Sequence, residues 1–386
     1  MSRRITVVTG TRAEYGLLSS PMEAIRRHPS LELTTVATGM HLSETYGHTV
    51  DEIEADGFTV DRTVETLLNS DTGRGMAKSL GLGINGTAEA LASLDTDVTL
   101  VLGDRDEALA GAVASAHMNV PVAHIHGGDS MHGATIDDSI RHAITKFAHV
   151  HFPASDRSAD RIEQLGEESW RITTVGAPGL DAILADEYES GETVRSKHGL
   201  NDDAPLIVVV QHPVTTQSER AADQMRATLK AVCDRDASVV VIYPNSDSGS
   251  AGMIEALDSF QDEVRDFKSL PRGEYLGLLD AADVLVGNSS SGIIEAPSLD
   301  LPVVDVGPRQ DGRQRADNVL SVPHDRSQIA RAVEQCLEGG DVRERAVDCD
   351  NPYDRGGAGD RIAEALAAVD LDEELSTKRF VERDTR

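Results

Sequence analysis

Eight ionisable residues fall within nineteen positions in the stretch "HIHGGDSMHGATIDDSIRH": His124, His126, Asp129, His132, Asp137, Asp138, Arg141 and His142. Carboxylates and imidazoles gathered this closely suit proton transfer, because each can give or take a proton once its surroundings tune it. A zinc site needs a compact set of deprotonated ligands, and this stretch has neither Cys nor HExxH, so the pattern favours proton chemistry over metal. Two plainer readings use the same residues. Asp137 and Arg141 stand four apart and suit a surface ion pair on one helix face, worth about 0.3 kcal/mol. Several of the histidines suit satisfied positions in a core.

A second kind of chemistry is written elsewhere. "VLVGNSSSGIIEAP", from Val284 to Pro297, is a β-branched run that meets three serines between glycines and then a helix carrying Glu295. Serine hydroxyls, free N–H groups and a positive helix end together attract phosphate; a well-capped helix is the alternative. "TGTRAEYG" puts Arg12 just past an apolar run, at a helix start where a cation opposes the dipole and so faces an anion more readily than it decorates a surface. "VLGDRDE" places Asp104 and Arg105 in the same way, with an N-cap and a solvated charge as the plain reading. "VVVQHPVT" ends a strand on His212, "VIYPNSD" ends one on Asn245, and "VVDVGPRQDGR" carries Arg309 and Arg313. His212, Asn245, Ser289, Ser290, Glu295 and Arg309 around one crevice compose a nucleoside-diphosphate site, with donors for the phosphates and Glu295 for a ribose hydroxyl pair.

These clusters need a scaffold that brings strand ends together. Short β-rich runs alternate with helical patterns: "RITVVTG", "ELTTVATG", "DVTLVLGD", "PVAHIHGG", "VHFPAS" and "RITTVG", then, after a linker near 180–200, "LIVVVQHP", "SVVVIYPNSD", the 284–297 unit, "LPVVDVG" and "SVPHD". Such alternation predicts parallel strands with helical crossovers, and ligands bind such sheets beyond the strands' carboxyl ends. The chain is expected to be α/β, with two Rossmann-like domains facing across a cleft: residues 1–180 with the carboxylates, 181–370 with the nucleotide site, and an acidic tail 371–386 that crosses back or frays. Gly81, Gly83 and Gly86 satisfy GxGxxG, but no strand precedes them, so dinucleotide binding there is rejected. GxxxxGK[ST] and GxSxG do not occur.

A formal charge of −30, from 66 acidic and 36 basic residues, repels nucleic acid and anionic membrane. Only six of those basic residues are Lys, and an acid-rich, Lys-poor surface fits a salt-rich, halophilic cytoplasm. The three cysteines form no CxxC, no apolar run approaches the roughly 20 residues of a membrane span, and the N-terminus enters a strand without a leader, so a cytoplasmic protein is expected.

In order along the chain, "TGTRAEYG", "ATGMHLSETYG", "LGDRDE", "HIHGGD", "TIDDSIRHAITKFAHVHF", "HPVTT", "YPNSDSGS", "GNSSSGIIEAPSL" and "VGPRQDGRQRADNV" resemble the hydrolysing UDP-N-acetylglucosamine 2-epimerases of sialic- and legionaminic-acid synthesis. The resemblance implies the glycosyltransferase-B-type fold and a reaction in which the sugar C2 proton is removed, UDP leaves from C1 and the glycal is hydrated from the opposite face. It implies Arg12, His212, Asn245, Ser289, Ser290, Glu295 and Arg309 as nucleotide contacts, Arg105 near the diphosphate, and Asp104 and Asp137 as acid/base carboxylates. His126 stands where many relatives carry a third catalytic acid, and Asp129 where they usually have Glu. Two residues are added between Asp129 and Asp137, and the Lys of certain relatives is Leu17. The substrate the resemblance implies is UDP-N-acetylglucosamine, or alternatively UDP- or GDP-N,N'-diacetylbacillosamine; a glycosyltransferase of the same fold is the rival activity. No metal or redox cofactor is expected, and the expected assembly is a homo-oligomer, dimer or tetramer.

Overall fold

The computed structural model describes residues 2–68, 70, 72–131, 136–347 and 349–382. It contains two six-stranded parallel sheets, each covered by helices on both faces. The first is built from β1 (Arg3–Thr9), β2 (Leu31–Thr38), β3 (Arg62–Val64), β4 (Val98–Leu102), β5 (Val122–Ile125) and β6 (Val150–Phe152), in the order β3-β2-β1-β4-β5-β6. The second has β7 (Leu206–Val210), β8 (Ser238–Ile242), β9 (Arg265–Phe267), β10 (Val284–Gly287), β11 (Val303–Val306) and β12 (Val319–Val322), in the order β12-β11-β10-β7-β8-β9. Both are the Rossmann order, and the architecture is the two-domain α/β fold that the sequence predicts.

The apolar runs become strands because helices cover both sheet faces and every side chain meets a core. Along β7 the alternation divides one run between two cores: Ile207 and Val209 face one layer, Leu206, Val208 and Val210 the other. Each fully buried side chain of this size contributes about 1.5–3 kcal/mol relative to exposure. "RITTVG" does not become a strand; only Ile172 bridges to His151, and Arg171 at its start is buried. Gly81, Gly83 and Gly86 lie inside the helix Gly73–Ser93, where a Cβ on Gly86 would meet Val64 at 2.3 Å, so that glycine serves close packing.

The chain crosses between the halves twice. It leaves the first near Ala177 and returns near Tyr353, and the Ala177 N–H donates to the Tyr353 carbonyl at 3.0 Å. The helix Ala358–Ala368 then packs Ile362, Ala363 and Leu366 into the first sheet's core. Its first N–H groups are capped from the other crossing by Asp181, which accepts from Ala358 and Gly359 at 2.9 and 2.8 Å. The acidic tail stays on the first half as far as described: buried Arg171 donates to the carbonyls of Glu374 and Leu375 at 2.7 and 2.8 Å. No helix among the described residues is long and apolar enough to cross a membrane.

Candidate active site

The two switch points, where strand order reverses between β1 and β4 and between β7 and β10, face each other. Between them lies a cavity of about 230 Å³. Arg12, Asp104 and Arg105 line it from the first half; His212, Asn245, Ser289, Ser290, Glu295 and Arg309 line it from the second.

Arg12 opens the helix Arg12–Arg27 directly after Thr11, whose hydroxyl caps Glu14 N–H at 3.2 Å. Its Nε lies 3.4 Å from Glu52 and its guanidinium 5.9 Å from the centre of the Tyr275 ring. Nη2 is buried without a partner, which leaves a donor for an anion, and burial lowers the pKa of the group. Glu14, two residues on, accepts the Gly10 N–H at 2.7 Å, while its other oxygen is buried and unpaired. Burial pushes this carboxyl up to about 8 from 4.5, so it is a neutral acid at neutral pH. Between those values the folded chain holds a proton that the unfolded chain releases, so stability falls as pH rises from about 4.5 to 8. Glu14→Gln is therefore expected to raise stability at pH 8.5 by about 1.4 kcal/mol or more and to leave it nearly unchanged at pH 4.5, as read by urea denaturation at both pH values.

His212 follows β7, and its backbone N–H donates to Asn288 Oδ1 at 2.7 Å while Asn288 returns a bond to the His212 carbonyl at 2.9 Å. Nδ1 accepts the Asn245 N–H at 3.1 Å, and burial lowers the ring to about 3. The imidazole is thus neutral with its proton on Nε2, a single donor for a ligand. Asn245 spends its amide on Asp247, at 2.6 Å. The helix expected after the serines is one turn, Ser291–Ile294, followed by a 3-10 turn over Ala296–Leu299 that begins with Pro297 near its start. Its dipole is correspondingly small, and the hydroxyls and side-chain cations carry the anion-binding capacity instead. Glu295 is buried and accepts from Arg272 at 3.1 Å.

The carboxylates are placed by a different pattern from the one local spacing suggests. Asp137 and Arg141, on the helix Ile136–Phe147, do not pair with each other. Arg141, 1% exposed, bonds Asp104 across the sheet end, and Asp137 lies 3.4 Å from Arg309 of the other half. Burial first, and the charge of Asp247 second, raise the pKa of Asp137. Asp129 is hydrogen-bonded by Ser158 at 2.7 Å and lies 3.4 Å from Arg313, 3.8 Å from Arg141 and 4.0 Å from His126, a bracing position. His126 adopts φ 62°, strained for a non-glycine residue, and neither of its ring nitrogens has a hydrogen-bond partner. Its burial favours the neutral ring. His124 is the satisfied core histidine, its Nε2 bonded to the Gly103 carbonyl at 2.8 Å. His132 lies outside the described residues. Among the described residues no cluster of three or more His, Cys, Asp or Glu could hold a metal ion.

Two residues of the cavity, Arg272 and Glu14, and one beside it, Asp247, escaped the motifs. Arg272 opens a helix as Arg12 does, after Pro271, and its Nη2 reaches both the Gly179 carbonyl at 2.8 Å and Glu295. It lines the cavity beside Leu17, so a cation from the second half stands near the place where certain relatives carry Lys. Glu14 was legible as the last residue of a T-x-x-E capping pattern. Asp247 lies in the quoted "YPNSDSGS", with no spacing signal of its own.

Paired Rossmann-like halves with arginines, hydroxyls and a neutral imidazole aimed into the gap define a protein of glycosyltransferase-B-like architecture. The chain belongs to the UDP-N-acetylglucosamine 2-epimerase family, whose sequence profile matches residues 23–367. It is 36% identical to a UDP-N,N'-diacetylbacillosamine 2-epimerase (hydrolyzing) of Legionella pneumophila, over 98% of this chain and 99% of that one. It is 33% identical to a UDP-N-acetylglucosamine 2-epimerase of Neisseria meningitidis, over 98% and 99%. The fold superposes on a crystal structure of UDP-GlcNAc 2-epimerase from Neisseria meningitidis bound to UDP-GlcNAc with a TM-score of 0.80, at 18% identity, over 94% of this chain and 99% of that one.

Proposed function

We propose that the protein is a hydrolysing 2-epimerase that converts a UDP-linked 2-acetamido sugar into the free 2-epimer and UDP, in nonulosonic-acid synthesis. The observation that carries this reading is the meeting of a diphosphate-type cradle with two carboxylates, Asp104 and Asp137, at one domain gap. Arg12, Arg105, Arg309, Ser289 and Ser290 hold the diphosphate, the His212 Nε2–H adds a neutral donor, and Glu295 takes the ribose hydroxyls. Asn245 acts on the nucleotide side through its loop.

The C2–H of a sugar is weakly acidic, so its removal needs a carboxylate base while the C1–O bond gives its electron pair to the departing UDP. Asp137 is the base in this reading: it is buried, its pKa is raised, and its one close cation is a phosphate-binding arginine. Asp104, held by Arg141, serves the hydration, in which water delivers hydroxyl to C1 and a proton to C2 from the opposite face. His126, a neutral ring with both nitrogens unpaired, replaces a carboxylate in this chain and positions rather than protonates.

UDP-N-acetylglucosamine is the first substrate of this reading. UDP-N,N'-diacetylbacillosamine is the second, favoured by the 36% identity with the Legionella relative along the whole chain. The two sugars differ at C4 and C6, a difference that a few pocket side chains decide. Incubating the protein in high salt with each UDP-sugar alone, without an acceptor, is the test: release of UDP with a free 2-epimer is expected. A protein that turns over only when an acceptor is added is a glycosyltransferase, and the proposal fails.

A further inference from the structure

Ion pairs bridge the gap between the halves: Arg313 with Asp129, at 3.4 Å, and a set of four charged side chains, two from each half. Arg105 and Asp137 belong to the first, Asp247 and Arg309 to the second. Arg105 bonds Asp247 at 2.5 Å, and Arg309 lies 3.4 Å from Asp137. Each ion pair thus runs between halves, and each ties a phosphate-type arginine to a carboxylate. The Asp247 side chain is 2% exposed. Its second oxygen accepts from Asn245 Nδ2 at 2.6 Å and its own N–H donates to Asn245 Oδ1 at 3.3 Å, so its loop fixes it. A fixed, buried negative charge beside a site for a doubly charged anion works against that ligand. Cradle geometry alone gives no reason for it.

We propose that Asp247 is a positioning residue of the reaction: it holds Arg105 in the place a phosphate will take, and its charge faces Asp137 across the gap. The inference rests on the nucleotide-sugar reading above. When the diphosphate takes Arg105 and Arg309, Asp137 loses its counter-ion and keeps Asp247 as a like-charged neighbour. Substrate arrival then makes Asp137 the stronger base, and the base is armed only when there is something to deprotonate. The groups that face Asp137 are Arg309, Arg313 and Asp247 from the second half, and Arg105 and Asp106 from the start of the helix after β4; its own helix adds Asp138 and Arg141, the latter bound to Asp104. The arginines and carboxylates oppose one another, so removing one charge from the set has a definite sign.

Asp247→Asn in the full chain keeps the size and the link to Asn245 and removes the charge. UDP titrated calorimetrically should bind about three- to tenfold more tightly, because a like charge is gone. The kcat should fall by about tenfold, and the acid limb of its pH profile should move down by about half a pH unit, because Asp137 becomes less basic. Asp247→Glu retains the charge one methylene away and should keep the acid limb while losing kcat; it also serves if the Asn variant fails to fold. Unchanged or weaker UDP binding by a folded Asn variant, or an unmoved acid limb, overturns the proposal. A wild-type chain that binds UDP without epimerising any sugar overturns the reaction alone, since the affinity arm uses UDP only; one that binds no UDP overturns both.

Discussion

Asp137→Asn is expected to lower kcat at least about 100-fold, the scale of a lost general base, with UDP affinity within a few-fold of wild type. The amide keeps the size of the side chain and accepts the Arg309 hydrogen bond, but it takes no proton. Asp137 is buried and its close contact with the cradle is Arg309, 3.4 Å away, so its replacement changes ground-state binding of UDP modestly. The same assignment predicts the isotope pattern of the wild-type reaction. In deuterated water the product should carry deuterium at C2, because the removed proton is replaced from solvent. A product that keeps its original C2 hydrogen, or an Asn variant of near-normal rate, would sink the elimination-and-hydration reading.

Arg141→Ala should have the largest effect on stability, a loss of about 3–5 kcal/mol, because it strands a carboxylate whose partner is buried. The guanidinium is 1% exposed, bonds Asp104 and stands 3.8 Å from Asp129. Asp129 keeps Arg313 when Arg141 is gone, whereas Asp104 loses its ion pair. Activity should fall as well, since Asp104 is then free to turn away from the cavity. Arg141→Lys should recover part of the stability through its charge and little of the activity, because an ammonium lacks the planar fork. Urea denaturation beside turnover separates the two effects; a loss below about 1 kcal/mol would show that Asp104 is solvated without Arg141.

The fold was legible where strands are covered on both faces. β1, β4 and β10 are apolar runs that end at a Gly, β7 one that ends at Gln211 and His212, and Rossmann-type alternation orders them. The short edge strands β3 and β9, "RTV" and "RDF", have no run long enough to show a period. The cavity residues were legible for the same reason as the strands: each follows a carboxyl end, and both switch points face one gap. What local spacing could not show was pairing across elements. Asp137 and Arg141 look like a helical pair until Asp104 and Arg309 arrive from other strands. The short helix after Ser291 was foreshadowed by Pro297, which denies an α-helix one of its hydrogen bonds.

The return of the chain to the first half has a mechanical consequence. Residues near 177 and 353 form two crossings side by side, joined by the Ala177–Tyr353 hydrogen bond, and Asp181 anchors the departing helix to the arriving one. Two adjacent tethers leave one soft degree of freedom. The halves can rock about a line through both crossings with that bond intact, while sliding or twisting would shear it. Opening of the gap about that line would part the bridging ion pairs Arg105–Asp247, Arg309–Asp137 and Arg313–Asp129 together.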